Sequence, residues 1–269
     1  MANPITYNKK RDRLQAVGQK FGAGIRLGAS GFEVVPPGEE CIYANPVDGL
    51  VAAMAQVTTT KKLIICAPGV YVGDVTWTDV NEAMLVAEIP GTVIIEAVTT
   101  FAIKIDPAAA SGTWSATLSG IELSHSDGLV GLQVDNATVG KRINLYLNDI
   151  DIESETPTDH AIDVNRSGTA AIRIYANGHG NTIEGLVHVI LEHAEDRIRF
   201  NGYRLVGGIT LTGEIANAEI TLINCGILTN GRAFPAAATH NLIGCWTETD
   251  GNPNVYVAVT DEVAQTATS

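Results

Sequence analysis

Short runs of alternating apolar and polar residues fill most of the chain, and they return in a recognisable form. The pattern reads Leu118-Ser-Gly-Ile121-Glu-Leu123, then Leu147-Asn-Asp-Ile150-Asp-Ile152, then Phe200-Asn-Gly-Tyr203-Arg-Leu205. Ile223-Asn-Cys-Gly-Ile227 and Ile243-Gly-Cys-Trp246 continue it. Each repeat is a strand-like run, a small or polar pair centred on Asn or Gly, and a second run. Anchors at Ile95, Leu118, Leu147, Ile174, Phe200, Ile223 and Ile243 lie 23, 29, 27, 26, 23 and 20 residues apart. A period of two predicts strands, and recurrence at this spacing predicts stacked repeats. No run between them is long and periodic enough for a crossover helix, which argues against a βαβ sheet. The pattern therefore predicts an all-β solenoid in which each turn of chain lays its strands on those of the turn before. About seven coils at roughly 4.8 Å each give a stack of about 34 Å. Leu118, Leu147, Phe200 and Ile243 are expected in or near one internal row.

One stretch reads as helix. In Pro46-Val-Asp-Gly-Leu-Val-Ala-Ala-Met-Ala-Gln-Val57, Pro46 suits a first turn and Asp48 complements the positive helix end. Val47, Leu50, Val51, Met54 and Val57 form an apolar stripe. A strand follows, Leu63-Ile-Ile-Cys-Ala-Pro-Gly-Val-Tyr71, broken by a Pro-Gly turn and resumed through Val70 and Val72.

This helix and the strand after it resemble the opening of right-handed parallel β-helix proteins. That superfamily includes pectate lyases and other polysaccharide-acting enzymes, and also phage tailspikes and virion proteins. The resemblance implies a right-handed parallel β-helix solenoid with an N-terminal capping helix near 46–57 and an extended N-terminal arm. It is sharp over residues 46–72 and only rhythmic over 90–250. The division expected is a basic arm over 1–40, the β-helix over 41–250, and a C-terminal strand and tail over 251–269.

Charge sets the arm apart. The chain carries a formal net charge of -13, which disfavours nucleic acid and anionic membrane as partners. Yet Lys9, Lys10, Arg11, Arg13, Lys20 and Arg26 face only Asp12 among the first 26 residues, so that segment holds +5 and the remainder -18. Glycines at 18, 22, 24, 28 and 31 deny it a long helix. Apolar residues are spaced along it, among them Tyr7, Leu14 and Phe21. The residues expected to carry attachment are Tyr7, Lys9, Lys10, Arg11, Arg13, Leu14, Lys20, Phe21 and Arg26. The first residues lack an apolar core of the kind a secretory signal needs, and no stretch approaches 18 apolar residues without polar interruption. Cys41, Cys66, Cys225 and Cys245 have no close metal-binding spacing and are expected as unpaired, mostly buried thiols, as in a reducing cytoplasm. Cys225 and Cys245 take matching places in successive repeats, where stacked thiols would touch.

The densest acidic group is Asp149, Asp151, Glu153, Glu155, Asp159 and Asp163. Alternation with Ile150 and Ile152 would put Asp149 and Asp151 on one strand face, at a spacing that suits an acid–base pair or a hard cation. Outward strand positions are polar in any case, and solvated carboxylates are the plainer expectation. Arg197 and Arg199 flank Ile198 and should project outward together, with Arg173 and Arg204 on neighbouring strands. Ordinary pairing with Glu192, Glu195 or Asp196 is expected of them. Among the six histidines, His188 and His193 sit close in sequence without sharing a face, so no zinc site is expected. No catalytic residue, cofactor or metal is assigned.

Three function classes remain: a virion component, a carbohydrate-active β-helix enzyme or tailspike, and a cell-surface solenoid. The first is expected: a non-enzymatic virion structural protein, a capsid decoration or head-attached protein made in the host cytoplasm. Its partners would be the major capsid protein or another virion protein, and sister subunits. The resemblance implies a homo-oligomer, a trimer being common among phage β-helices.

Overall fold

The computed structural model describes residues 25–28, 31–34, 41–78, 82–107, 112–135, 141–156, 158–165, 170–213, 217–228, 232–233, 238–249 and 252–258. They form an all-β solenoid whose coils run through three sheets in turn, with an additional hairpin of 25–28 and 31–34. The first sheet stacks nine parallel strands, from Cys41–Ala44 through Gly112–Ser119, Lys141–Asn148, Ala171–Asn177 and Arg197–Asn201 to Thr239–Ile243. The second stacks strands such as Gly69–Val72, Ile121–His125, Asp151–Ser154 and Trp246–Thr249. The third runs from Val75–Trp77 through Val130–Asp135, His160–Asn165 and Leu186–Ile190 to Arg232–Ala233. Nine strands in the first sheet make the stack two rungs taller than the spacing of the anchors suggests, because Ile42, Ile64 and Leu85 extend the row below Leu118.

That row runs Ile42, Ile64, Leu85, Leu118, Leu147, Ala176, Phe200, Leu222 and Leu242, each in register with the next. Most of these side chains are fully buried, and each fully buried large aliphatic contributes about 1.5–3 kcal/mol. Ile243 is not in the row. It pairs with Ile223, which pairs with Asn201, and it is 57% exposed. Leu242 takes the inward place, since Leu222 and Phe200 fix the parity below it. Ile174 is buried, but in the neighbouring row with Leu145 and Ile198.

The Asn or Gly pair in each repeat is the bend from the first sheet to the second. Gly120, Asp149, Gly202, Asn224 and Gly244 all have φ between 50° and 75°, the left-handed region open to Gly and tolerated by Asn and Asp. Their N–H groups keep the ladder going through the bend: Gly120 donates to Asn148 O at 2.9 Å, Asp149 to Asn177 O at 2.8 Å and Asn224 to Ile243 O at 2.8 Å.

The helix is shorter than its sequence suggests. Only Gly49–Met54 is α-helical, here called α1. Gly49 has φ 79°, so Pro46–Asp48 form a separate turn, held by Asn45 Oδ1 accepting from Val47 N at 3.0 Å and Asp48 N at 2.9 Å. The apolar stripe divides. Leu50 and Ala53 are buried and Met54 and Val57 pack on the core, whereas Val47 and Val51 are 94% and 61% exposed. In the first coil the inward residue is Tyr71, whose hydroxyl donates to Ala44 O and Ala67 O at 2.9 Å; Val70 and Val72 point outward. Cys41, Cys66, Cys225 and Cys245 are buried and form no disulfide. Cys225 and Cys245 take matching places on successive coils, Cys225 donating to Phe200 O and Ile223 O and Cys245 to Leu222 O and Ile243 O, and the neighbouring thiol together with burial pushes the Cys225 thiol up.

Of the arm, Ile25–Gly28 and Gly31–Val34 form an antiparallel hairpin that belongs to none of the three sheets. Arg26 lies in its first strand; Tyr7, Lys9, Lys10, Arg11, Arg13, Leu14, Lys20 and Phe21 lie outside the described residues. Among the described residues no helix is long and apolar enough to cross a membrane.

Candidate functional site

Parallel stacking in register turns every outward strand position into a column of side chains running along the solenoid. On the first sheet one column reads Thr117, Tyr146, Tyr175, Arg199, Thr221 and Asn241. The next reads Ser115, Asn144, Arg173, Arg197 and Glu219. The rings of Tyr146 and Tyr175 stack at 5.5 Å with 15° between their planes. Beside them a shallow groove of about 350 Å³ is lined by Arg173, Tyr175, Arg197, Arg199, Glu219 and Thr221.

The arginines of this face differ in how they are engaged. Glu195 bridges Arg142 and Arg173, the latter at 3.3 Å. The hydrogen bond and charge of Arg142 hold the Glu195 carboxyl below its usual value. Arg197 meets Glu219 at 3.2 Å and also donates to the carbonyls of Ala194, Asp196 and Asn217 at 2.7–3.0 Å. Arg199 is exposed, and no described acid pairs with it. Arg197 and Arg199 thus project outward around buried Ile198, as alternation predicts, and Arg173 joins them one coil below. Asp196 lies inward: fully buried, its carboxylate accepts from the N–H groups of Ile172, Glu192 and His193 at 2.8–3.0 Å. The groove can hold an anionic or hydroxyl-rich ligand by charge-assisted hydrogen bonds. Glu219 is the one carboxylate in its lining, and Arg197 already engages it.

The acidic group is arranged otherwise than alternation suggests, with Asp151 and Glu153 in the second sheet and Asp163 in the third. Asp149 is not in the strand; it occupies the left-handed bend before Asp151–Ser154, where its carboxylate meets His179 Nδ1 at 2.6 Å. Asp151 accepts from Asn181 Nδ2 and Thr182 N, both at 2.8 Å. Both therefore tie one coil to the next. Asp151 and Glu153 do share the outer face, with Glu122 in register beside Asp151. Burial, a hydrogen bond that the protonated form donates to Glu153, and the charges of Glu153 and Asp151 push the Glu122 carboxyl up to about 6.

The third sheet holds a cluster that alternation conceals. His160 and Asp163 are three residues apart, so a regular strand would point them to opposite faces. A register irregularity between His160 and Ile162 leaves both Ala161 and Ile162 buried and turns His160 outward with Asp163. His188 sits in register with Asp163 on the next coil. His193, its sequence neighbour, instead accepts from Glu195 N at 3.0 Å through its own Nδ1.

Comparison with protein-family models and with curated proteins finds no match. The functional assignment accordingly follows from geometry.

Proposed function

We propose that the protein is a non-enzymatic virion structural component, a capsid decoration or head-attached protein built as a right-handed parallel β-helix. It would fasten to a capsid protein or sister subunits through its N-terminal end. One observation carries this. Of the nine large hydrophobic side chains exposed among the described residues, seven lie between residues 47 and 98, in α1, the turn before it and the first two coils: Val47, Val51, Val70, Val72, Met84, Ile89 and Val98. A recess of about 480 Å³ opens there, lined in part by Val51, Met54, Val57 and Trp77. Apolar surface concentrated at one end of an otherwise polar body is what an interaction surface needs. The basic segment precedes these residues in the sequence, and an acidic partner would be steered to it. Trimeric assembly is the form the family resemblance favours.

The test compares virions made with the full chain, with residues 2–26 deleted, and with Val47→Asp plus Val51→Asp, each protein being located by electron microscopy of purified particles. Loss of particle-bound density in both variants, with circular dichroism unchanged, is expected. Full occupancy by both would overturn the proposal.

The groove beside Tyr146 and Tyr175 favours a second reading, a tailspike-type carbohydrate-binding protein or polysaccharide-degrading β-helix. Here Arg199→Ala should abolish retention on an acidic polysaccharide such as polygalacturonate. A wild-type chain that is not retained at low salt removes this reading.

A further inference from the structure

We propose that His160, Asp163 and His188 form a binding site for a divalent transition-metal ion of the zinc class. Nδ1 of His188 lies 2.8 Å from Asp163 Oδ1, and Nδ1 of His160 lies 3.5 Å from the same oxygen. One ligating atom from each residue falls within 4.8 Å of the other two. Zinc bonds nitrogen and oxygen at about 2.0–2.2 Å in tetrahedral geometry, which places donor atoms about 3.2–3.6 Å apart. The His160 separation falls within that range and the His188 separation is about 0.4 Å short of it, so a small opening of the His188–Asp163 contact admits the ion. The imidazole rings stack, their centroids 5.0 Å apart and their planes inclined by 22°, and both Nδ1 atoms approach the one carboxylate.

The support beneath these donors is rigid. Ala161, Ile162, Val164, Val187 and Val189, which alternate with them on the same strands, are all 0–1% exposed. Side-chain exposures of 37% for His160, 22% for His188 and 14% for Asp163 leave the cluster half-sheltered with one side open to water. That is the arrangement of three protein ligands plus one exchangeable position. Two imidazoles and one carboxylate select zinc, cobalt, nickel or copper over calcium or magnesium, which prefer all-oxygen sites. The nearest cation in the column, Lys104, is two coils below in register through Gln133 and is held by Asp135 at 2.8 Å and Asp106 at 3.2 Å. It therefore does not occupy the Asp163 carboxylate. The competing role is a plain coil-to-coil strut like Asp149 with His179, in which His188 donates to Asp163 and nothing more.

The experiment uses the full chain, stripped with chelator and titrated with Co²⁺ and then Zn²⁺. Binding is followed by the visible ligand-field bands of tetrahedral cobalt and by calorimetry. One equivalent per chain is expected, with cobalt displaced by zinc and no thiolate charge-transfer band, since the four thiols take no part. His188→Gln and Asp163→Asn should each weaken binding by at least about tenfold. His160→Gln leaves the Asp163–His188 contact in place, so it reports on ligation even where the other two variants fold poorly. His179→Gln is the control and should bind as wild type does. The strut alone is left if wild type shows no saturable cobalt spectrum, or if the spectrum survives in His160→Gln and Asp163→Asn unchanged.

Discussion

Glu122 shows how a stacked register can work against a single residue. Its neighbours on the next coil are Asp151 in register and Glu153 diagonally placed, and with burial they raise its carboxyl from 4.5 to about 6. A carboxyl raised by folding binds its proton more tightly in the native state, so stability is lost as pH rises from 4.5 through 6. Glu122→Gln removes that loss. The variant should equal wild type below pH 4.5 and exceed it above pH 6, by about 0.5–1 kcal/mol once solvent screening of a partly exposed group is allowed for. Thermal melts at pH 4 and 8 check this; a variant equally stabilised at both would show that repulsion among carboxylates is not the cause. Single residues were otherwise legible wherever one apolar residue stood between polar ones, as at Ile150, Ile152 and Ile198. They were illegible where two apolar residues adjoin, as at Leu242 and Ile243, because hydrophobicity alone does not say which faces in. His160 and Asp163 were hidden by the same parity problem, since only the irregularity before Ile162 brings them to one face.

At the scale of an element, the bends deserve the closest comparison. Their Asn or Gly pairs were visible in the sequence, and their role follows from φ values that β-branched residues avoid. Gly202 has φ 75°, and a Cβ there would lie 2.3 Å from Gly178 O, the backbone of the coil below. Gly180 has φ 97° but open space around it. Gly202→Ala must therefore move backbone as well as bear the left-handed strain, costing about 1–3 kcal/mol. Gly180→Ala bears the strain alone. For a domain of this size each kcal/mol lowers Tm by about 2–4 °C, so melting curves should separate the pair, with Gly202→Ala the lower. Equal Tm values would mean that the coil contact relaxes freely. The helix is the counter-example. Its stripe was counted on a continuous 3.6-residue period from Pro46, but the positive φ of Gly49 resets the phase, and Val47 and Val51 end up facing out. A glycine inside an apparent first turn was the available signal.

For the whole molecule, the two ends matter more than the faces. Inner coils satisfy one another's edges, so unpaired backbone collects at the first and last coils, and free edges of parallel sheet invite further strands. In the second sheet the series is stopped by a reversal: Asn252–Ala258 pairs antiparallel with Trp246–Thr249. This strand presents the wrong direction for another coil to continue the stack. The opposite end carries the exposed valines of α1 and the first coils. An open edge at one end and an apolar surface at the other make a head-to-tail contact, and such a contact does not close on itself. Ending the chain at Thr249 should therefore leave strand content nearly unchanged while producing concentration-dependent, open-ended association, seen as a rising sedimentation coefficient or as filaments by electron microscopy. Adding Val47→Asp and Val51→Asp to the truncated chain should reverse that association, because it removes the apolar half of the contact and leaves the edge intact. A truncated chain that keeps the full chain's sedimentation coefficient at every concentration would show that the reversed strand serves some purpose other than closing the stack.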